Sequence, residues 1–181
     1  MVVELVSVGT ELLLGNIVNT NTQYLAEQCA LLGLSLYHQS VVGDNHDRLA
    51  EVVKTALGRS DVVILTGGLG PTEDDLTKEV CAEVMGYKLV EDPHTREHLE
   101  QFFKNNIYKE IPDNNWKQAM VPEGALILDN HNGMAPGLIL EKDGKTAILL
   151  PGPPAELYPM FKEQVLSLIH ISEPTRLGMI S

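Results

Sequence analysis

Apolar residues recur along this chain in two alternating rhythms, short β-branched runs and longer stretches with helical spacing. Val2–Val8 is the first short run, closed by Gly9-Thr10-Glu11, and predicts a strand. From Thr20 to Leu32, Leu25, Cys29 and Leu32 fall at i, i+4, i+7, which predicts a helix that Gly33 stops. Leu34–Val42 reads as a second strand. A helix follows with Leu49, Val52, Val53, Ala56 and Leu57 on one face and Asp44 or Asn45 as its cap. Asp61–Thr66 is almost wholly apolar, the pattern of a strand covered on both faces.

After Gly67-Gly68-Leu69-Gly70-Pro71 the spacing of Leu76, Val80 and Val84 predicts a helix beginning at Thr72. A polar helical stretch spans about 92–107, and a shorter one surrounds Trp116. Gly137–Leu140 and Thr146–Leu150 flank Asp143-Gly144, a hairpin signal. Pro151-Gly152-Pro153-Pro154 breaks the chain before a last helix from Ala155 to about Leu166. Strands alternating with helices predict one α/β domain, a mostly parallel sheet with helices on both faces and an antiparallel hairpin added late.

Composition narrows the function. The 181 residues carry 25 Asp and Glu against 13 Lys and Arg, a formal net charge of −12. That balance disfavours a nucleic-acid binder, which needs clustered Lys and Arg against phosphates. It leaves room for a small anion held by backbone N–H groups or a metal ion. No apolar run approaches the roughly 20 residues that span a bilayer. The first residues lack a basic start and contain Glu4, so they read as a strand and not a signal peptide, and the expected location is the cytoplasm. Cys29 and Cys81, 52 positions apart, read as buried thiols and not as a disulfide or zinc pair.

The strongest chemical signal is Thr66-Gly67-Gly68-Leu69-Gly70-Pro71-Thr72-Glu73-Asp74-Asp75, placed where a buried strand meets a helix. Open α/β sheets bind ligands at that end. Three glycines in four positions let backbone N–H groups approach an anion, and the helix N-terminus is expected to add its positive dipole end. The order matches neither the dinucleotide fingerprint nor the Walker loop. Asp74 and Asp75 would repel an anion in that loop unless a divalent cation bridges them to it. Thr72 and Asp75 also match a capping box, the structural alternative for that acid. Glu11, in the loop after the first strand, is a further candidate to hold metal or orient water, or a plain solvent-facing residue. His94-Thr95-Arg96-Glu97-His98 has zinc-protease spacing but no third ligand, and reads as a solvated helix face. Trp116, Phe102 and Phe103 read as packing residues.

Four blocks in order carry a resemblance: Gly9-Thr10-Glu11-Leu12-Leu13 with Asn19; the glycine loop through Asp75-Leu76-Thr77; Ala135-Pro136-Gly137; and Leu150-Pro151-Gly152-Pro153-Pro154-Ala155-Glu156. Together they resemble the N-terminal domain of the competence/damage-inducible CinA family, related to molybdopterin-binding domains. The resemblance covers about 1–166 and implies a three-layer α/β/α, molybdopterin-binding-like fold. It also implies metal-dependent ADP-ribose pyrophosphatase activity, giving AMP and ribose 5-phosphate with Mg, Mn or Co as cofactor. On this chain Asp74, Asp75 and Glu11 would be catalytic, with Asp74 and Asp75 holding metal. Thr66, Gly67, Gly68, Leu69, Gly70, Thr72, Asn19, Pro151, Gly152, Pro153 and Glu156 would bind the nucleotide.

The expected partners are a small-molecule nucleotide and further copies of the chain, with neither nucleic acid nor membrane. Two alternatives use the same cleft: a molybdopterin or adenylylated-molybdopterin binding module, or a non-catalytic domain of a truncated nicotinamide-nucleotide amidohydrolase. No deamidase activity is expected from these residues. Residues 167–181 resemble translated sequencing-adaptor DNA, and Pro174 would interrupt a continuing helix, so they are expected to form a non-native, poorly packed tail.

Overall fold

A computed structural model describes residues 1–106 and 110–169. Its centre is a six-stranded sheet in the order β2 (Ser35–Val42), β1 (Val2–Val8), β3 (Val62–Thr66), β8 (Lys145–Leu150), β7 (Gly137–Lys142), β6 (Leu126–Leu128). The pairs β2–β1, β1–β3 and β3–β8 are parallel, while β8–β7 and β7–β6 are antiparallel. The expected mostly parallel sheet with a late hairpin is what forms. The hairpin turns at Asp143-Gly144, both at positive φ, 52° and 77°.

Strand side chains alternate between two cores because the pleat has period two. Val6, Val8, Val63, Leu65, Ala147 and Leu149 face one layer, formed by α3 (His46–Arg59) and α4 (Thr77–Met85). Val3, Leu5, Val62, Ile64, Ile148 and Leu150 face the other, formed by α2 (Thr20–Leu31) and α6 (Pro154–Met160). All five residues of β3 are buried, as the continuous apolar run required. This gives the three-layer α/β/α arrangement. Cys29 and Cys81 sit one in each core as free thiols, and burial pushes them up to about 11 and about 12 respectively.

Local signals set most helix starts. Asn19 caps α2 by accepting from the Thr22 N–H (3.3 Å), Asn45 caps α3 through the Arg48 N–H (3.1 Å), and Asp92 caps α5 (Pro93–Lys104) through the Thr95 N–H (2.8 Å). The helix expected from Thr72 is an exception. α4 begins at Thr77, and Thr72–Asp75 is a separate turn.

Several elements lacked a sequence signal: a one-turn α1 (Thr10–Leu13), the short β6, and a second sheet pairing β4 (Leu89–Glu91) with β5 (Met120–Pro122). The helical stretch around Trp116 is a 3₁₀ segment, Asp113–Ala119. α6 passes into a π-helical segment, Phe161–Val165, with Pro159 inside the preceding helix. Residues 166–169 continue helically and Ile169 is buried against the α2/α6 core. The rest of the expected tail and the end of the 92–107 stretch lie outside the described residues. Among those described, no helix is long and apolar enough to cross a membrane.

Glu4 is wholly buried on β1 and accepts from Arg59 Nε (3.0 Å), Arg59 Nη2 (2.6 Å) and Ser60 Oγ (3.0 Å). Burial by itself raises the Glu4 carboxyl, but the Arg59 and Ser60 hydrogen bonds and the Arg59 charge outweigh it and hold the group below its ordinary value. A depressed folded pKa contributes stability above the unfolded glutamate value of about 4.3 and loses it as pH falls through the folded value. Arg59→Met strands the buried carboxylate, so the variant melts lower than the parent at pH 7. The deficit shrinks as pH falls, first as the stranded Glu4 of the variant takes up its proton and then as the parent's Glu4 is protonated below the ordinary glutamate value. Thermal melts over that fall in pH check both the size of the deficit and its disappearance.

Candidate functional site

Parallel strands β1, β3 and β8 all end at one edge of the sheet, so the loops that follow them surround a common cleft of about 720 Å³. Glu11 and Asn19 come from the loop after β1. Thr66, Gly67, Gly68, Leu69, Gly70, Thr72, Asp74 and Asp75 come from the end of β3 and the turn beyond. Pro151, Gly152, Pro153 and Glu156 come from the loop after β8, and Met134 and Ala135 lie at the entry to β7. Residues up to 148 positions apart, Val8 and Glu156, are thereby brought to one place.

The glycine loop is shaped by close approach. A Cβ on Gly67, at φ 91°, would lie 2.4 Å from the Val8 carbonyl oxygen, and one on Gly68, at φ 70°, would lie 2.1 Å from Thr77 Oγ1. Both contacts and both dihedrals exclude a side chain. The Gly67 N–H is already donated to the Leu150 carbonyl (3.0 Å), so Gly67 joins β3 to β8 and has no N–H to offer a ligand. The N–H groups of Gly68, Leu69 and Gly70 make no hydrogen bond among the described residues, which leaves them as the loop's available donors.

The end of α4 differs from expectation. Its N-terminus is closed by the loop itself: Thr77 Oγ1 donates to the Gly67 carbonyl (2.8 Å) and Thr77 N–H to the Gly68 carbonyl (3.2 Å). No α4 residue lines the cleft, so its dipole end is not the anion seat that the sequence suggested. Asp75 is not a helix cap either. Its Oδ2 accepts from the Thr72 N–H (3.0 Å) and Thr72 Oγ1 (2.7 Å), and its N–H donates to the Thr72 carbonyl (3.2 Å), closing a turn ahead of the helix. Asp74, one residue before, is exposed.

Two lysines secure this turn from behind. Lys117, in the 3₁₀ segment, donates from Nζ to the carbonyls of Thr72 (2.7 Å) and Asp75. Lys78 of α4 donates in return to the Lys117 carbonyl (2.6 Å). Lys78 is buried, and burial lowers its ammonium to about 8, with the Lys117 charge adding to the fall and Glu79 opposing it. The clasp ties the acidic turn to the 3₁₀ segment, and the next residue there, Gln118, lines the cleft.

The sequence-based assignments separate once partners are known. Asn19 uses both ends of its amide for the fold, capping α2 and donating to Ser7 Oγ (2.9 Å). Glu156 accepts from Asn130 Nδ2 (2.7 Å) while facing the cleft. The lining residues missing from the assignment include Asp44, Asn21 and Gln118. Asp44 accepts from Thr10 Oγ1 (3.2 Å), whereas Asn21 and Gln118 each carry a buried side-chain oxygen without a hydrogen-bond partner among the described residues. Asp44 carries a helix-start signal that masks its place in the cleft, and Gln118 stands in a stretch with no motif at all.

Among the described residues the lining holds five carboxylates, Glu11, Asp44, Asp74, Asp75 and Glu156, and no Lys, Arg or His. Among the described residues, no three His, Cys, Asp or Glu side chains converge to hold a metal ion unaided. A hard divalent ion held here would take one or two carboxylates at most from the protein and the rest of its shell from elsewhere. His94 and His98 serve other contacts, His94 Nε2 with Asp129 (2.8 Å) and His98 Nε2 with the Gly133 carbonyl (3.1 Å). Trp116 packs under the Arg96 guanidinium at 4.6 Å, and Phe102 and Phe103 pack edge to face.

Residues 4–170 match the family described as "probable molybdopterin binding domain". The chain is 58% identical over 166 residues to a competence-damage inducible protein of Caldicellulosiruptor bescii, and 52% identical over 166 residues to one of Clostridium acetobutylicum. Each match covers 92% of this chain and 40% of the relative, so the chain spans less than half the length of those proteins. The crystal structure of the protein CinA from Thermoplasma acidophilum superposes with a TM-score of 0.83 at 32% identity, covering 89% of this chain and 94% of that one. The molybdopterin biosynthesis enzyme MoaB from Thermus thermophilus shares the fold at a TM-score of 0.59 and 17% identity, covering 93% of this chain and 95% of that one.

The clasp predicts where the site loosens first. Lys117→Met removes the donor that holds the Thr72 and Asp75 carbonyls while keeping the stem that packs against the turn. Amide hydrogen exchange at Asp75 is expected to rise about tenfold, with the β3 amides unchanged. Mass-spectrometric exchange on the two proteins side by side is the check.

Proposed function

The chain belongs to the competence-damage inducible CinA family and carries its molybdopterin-binding-like domain, and from that premise we propose that its cleft hydrolyses the diphosphate bond of ADP-ribose. The observation that carries this reading is the pairing of opposites in one cleft: unspent N–H donors at Gly68, Leu69 and Gly70 beside five carboxylates and, among the described residues, no basic side chain. Unspent backbone N–H donors suit phosphate oxygens. The carboxylates suit that ligand only when it arrives with a divalent cation, Mg²⁺, Mn²⁺ or Co²⁺.

Each residue then has a limited task. The loop N–H groups orient the diphosphate and stabilise the charge that grows on its oxygens as one phosphorus is attacked. Asp74, exposed and uncommitted to the fold, holds the ion or takes the proton of the attacking water. Asp75 does the same from a fixed position, since Thr72 holds its carboxylate. Glu11 stands across the cleft on α1, and the loop from Pro151 to Glu156 borders the nucleoside side. A bound divalent ion supplies Lewis-acid polarisation of a phosphoryl oxygen. The new bond joins the water oxygen to one phosphorus, the bridging P–O bond breaks, and AMP and ribose 5-phosphate leave.

We further propose a cytoplasmic homo-oligomer, because Leu13, Leu14, Ile17 and Val18 form an exposed apolar rim beside the cleft, with Val18 82% exposed. The second reading of the site rests on the family description itself: a cleft that binds a molybdopterin phosphate without hydrolysis.

Phosphorus NMR of ADP-ribose with the protein separates the two. Turnover is expected with Mg²⁺, Mn²⁺ or Co²⁺ and none with chelator. Asp74→Asn is expected to lower kcat/KM by about a hundredfold with an unchanged melting temperature. Asp75→Asn is expected to lower both, because it also weakens the Thr72 turn. Unchanged turnover in both variants removes the pair from the mechanism, and binding of a pterin phosphate with no ADP-ribose cleavage selects the second reading. Leu14→Glu is expected to shift sedimentation toward the monomer; an unchanged boundary places the subunit contact elsewhere.

A further inference from the structure

The side chains that grip the acidic turn from outside the cleft have no task in the hydrolytic reading. Lys78 is only 6% exposed, and a buried ammonium costs stability unless its charge and its donors are met. Its Nζ donates to the Lys117 carbonyl (2.6 Å), so what it secures is the main chain of the 3₁₀ segment. Lys117 in turn gives its Nζ to the carbonyls of Thr72 (2.7 Å) and Asp75, the two ends of the turn. Glu79 Oε1 is shared by both ammonium groups, 3.9 Å from Lys78 Nζ and 3.7 Å from Lys117 Nζ. Two positive charges against one negative leave this group net positive, and none of the three lines the cleft.

The start of α4 does not account for a buried lysine here, because the Thr77 contacts with Gly67 and Gly68 already close that helix. What the clasp holds is a run of three consecutive acids, Glu73-Asp74-Asp75, whose like charges repel and favour an open chain. Asp75 is fixed twice over. The Thr72 N–H and Oγ1 hold its carboxylate, and Gly70 leaves it room, since a Cβ there would lie 2.6 Å from Asp75 Oδ2. Lys117 holds its carbonyl. A carboxylate fixed before a ligand arrives loses little further freedom on binding it.

We propose that Lys117, backed by Lys78, is a positioning residue that keeps Asp74 and Asp75 arranged to receive a divalent cation before any cation is present. This rests on the hydrolase reading above and adds to it the device that holds two like-charged neighbours together. Both lysines act through backbone carbonyls, and that gives the role a distinctive sign. Where charge is all that matters, removing a positive group beside a cation site tightens the cation. Removing a positioning group loosens it, because the ion must then close the turn against its own repulsion.

The test titrates Mn²⁺ into the parent, Lys117→Met and Lys78→Met, with free Mn²⁺ read from its electron paramagnetic resonance lines. Each titration is run on the ligand-free protein and repeated with methylene-bridged ADP-ribose, which the protein cannot cleave. Methionine keeps most of the stem and removes the ammonium. Lys117→Met is expected to bind Mn²⁺ about tenfold more weakly, and Lys78→Met to shift in the same direction. With ADP-ribose as substrate, saturating Mn²⁺ is expected to bring kcat of Lys117→Met back to within about threefold of the parent, because the bound ion then closes the turn.

Equal or tighter Mn²⁺ binding by Lys117→Met overturns the proposal and leaves the lysine a mere charge beside the site. A lower melting temperature with unchanged Mn²⁺ affinity, the mark of a plain strut, overturns it too, as does a kcat that stays low at saturating Mn²⁺. Lys117→Leu repeats the measurement should methionine fail to pack. Unchanged binding by Lys78→Met alone removes Lys78 from the assignment. If the parent binds Mn²⁺ neither by itself nor with methylene-bridged ADP-ribose, the metal-dependent hydrolase reading fails and takes this inference with it.

Discussion

Like charges crowded into one cleft are the constraint on which the site turns. Among the described residues five carboxylates line it and no basic side chain does. At ~4 Å and an effective dielectric near 20, two like unit charges cost about 4 kcal/mol, more than a single backbone hydrogen bond returns. An anionic ligand therefore needs both the unspent loop N–H groups and a cation. The two lysines that approach the acidic turn do so from behind, with their ammonium groups given to carbonyls of Thr72, Asp75 and Lys117. Their positive charge moderates the repulsion within the protein and leaves the cleft negative.

The fold makes such a site tenable by dividing labour among neighbouring residues. In the glycine loop, Gly67 serves the sheet through Leu150, and its carbonyl and that of Gly68 close the start of α4. Only the residues from Gly68 onward keep N–H groups in reserve. In the loop after β1, Asn19 is consumed by capping α2 and bonding Ser7, while Asn21, two residues later, retains an unsatisfied oxygen. Groups spent on the fold and groups left unpaired among the described residues thus alternate within a few residues. Supporting groups locked by hydrogen bonds beside groups left unpaired are what a preorganised site requires.

Much of the architecture was legible from periodicity. β3 with its five buried residues, the capped helices α3 and α5, and the Asp143-Gly144 hairpin all follow local signals. The short strands β4, β5 and β6 were not legible, because three residues are too few to show a period and their pairing depends on distant partners. The start of α4 was misplaced for a different reason. Thr72-x-x-Asp75 has the spacing of a capping box and equally of a self-contained turn, and only the contacts of Thr77 with Gly67 and Gly68 show which forms.

The sequence by itself determined the alternating layers, the sheet edge where ligands gather, and the glycine loop with its paired acids, because those depend on side-chain periodicity and on backbone freedom local to a few residues. Tertiary structure alone decided which groups remain available. Whether an ammonium or amide group faces a ligand or is spent on a carbonyl 45 or 131 residues away depends on hydrogen bonds that close through space, and local pattern holds no record of them. Gln118, Asp44 and Asn21 entered the site, and the dipole end of α4 left it, for that reason.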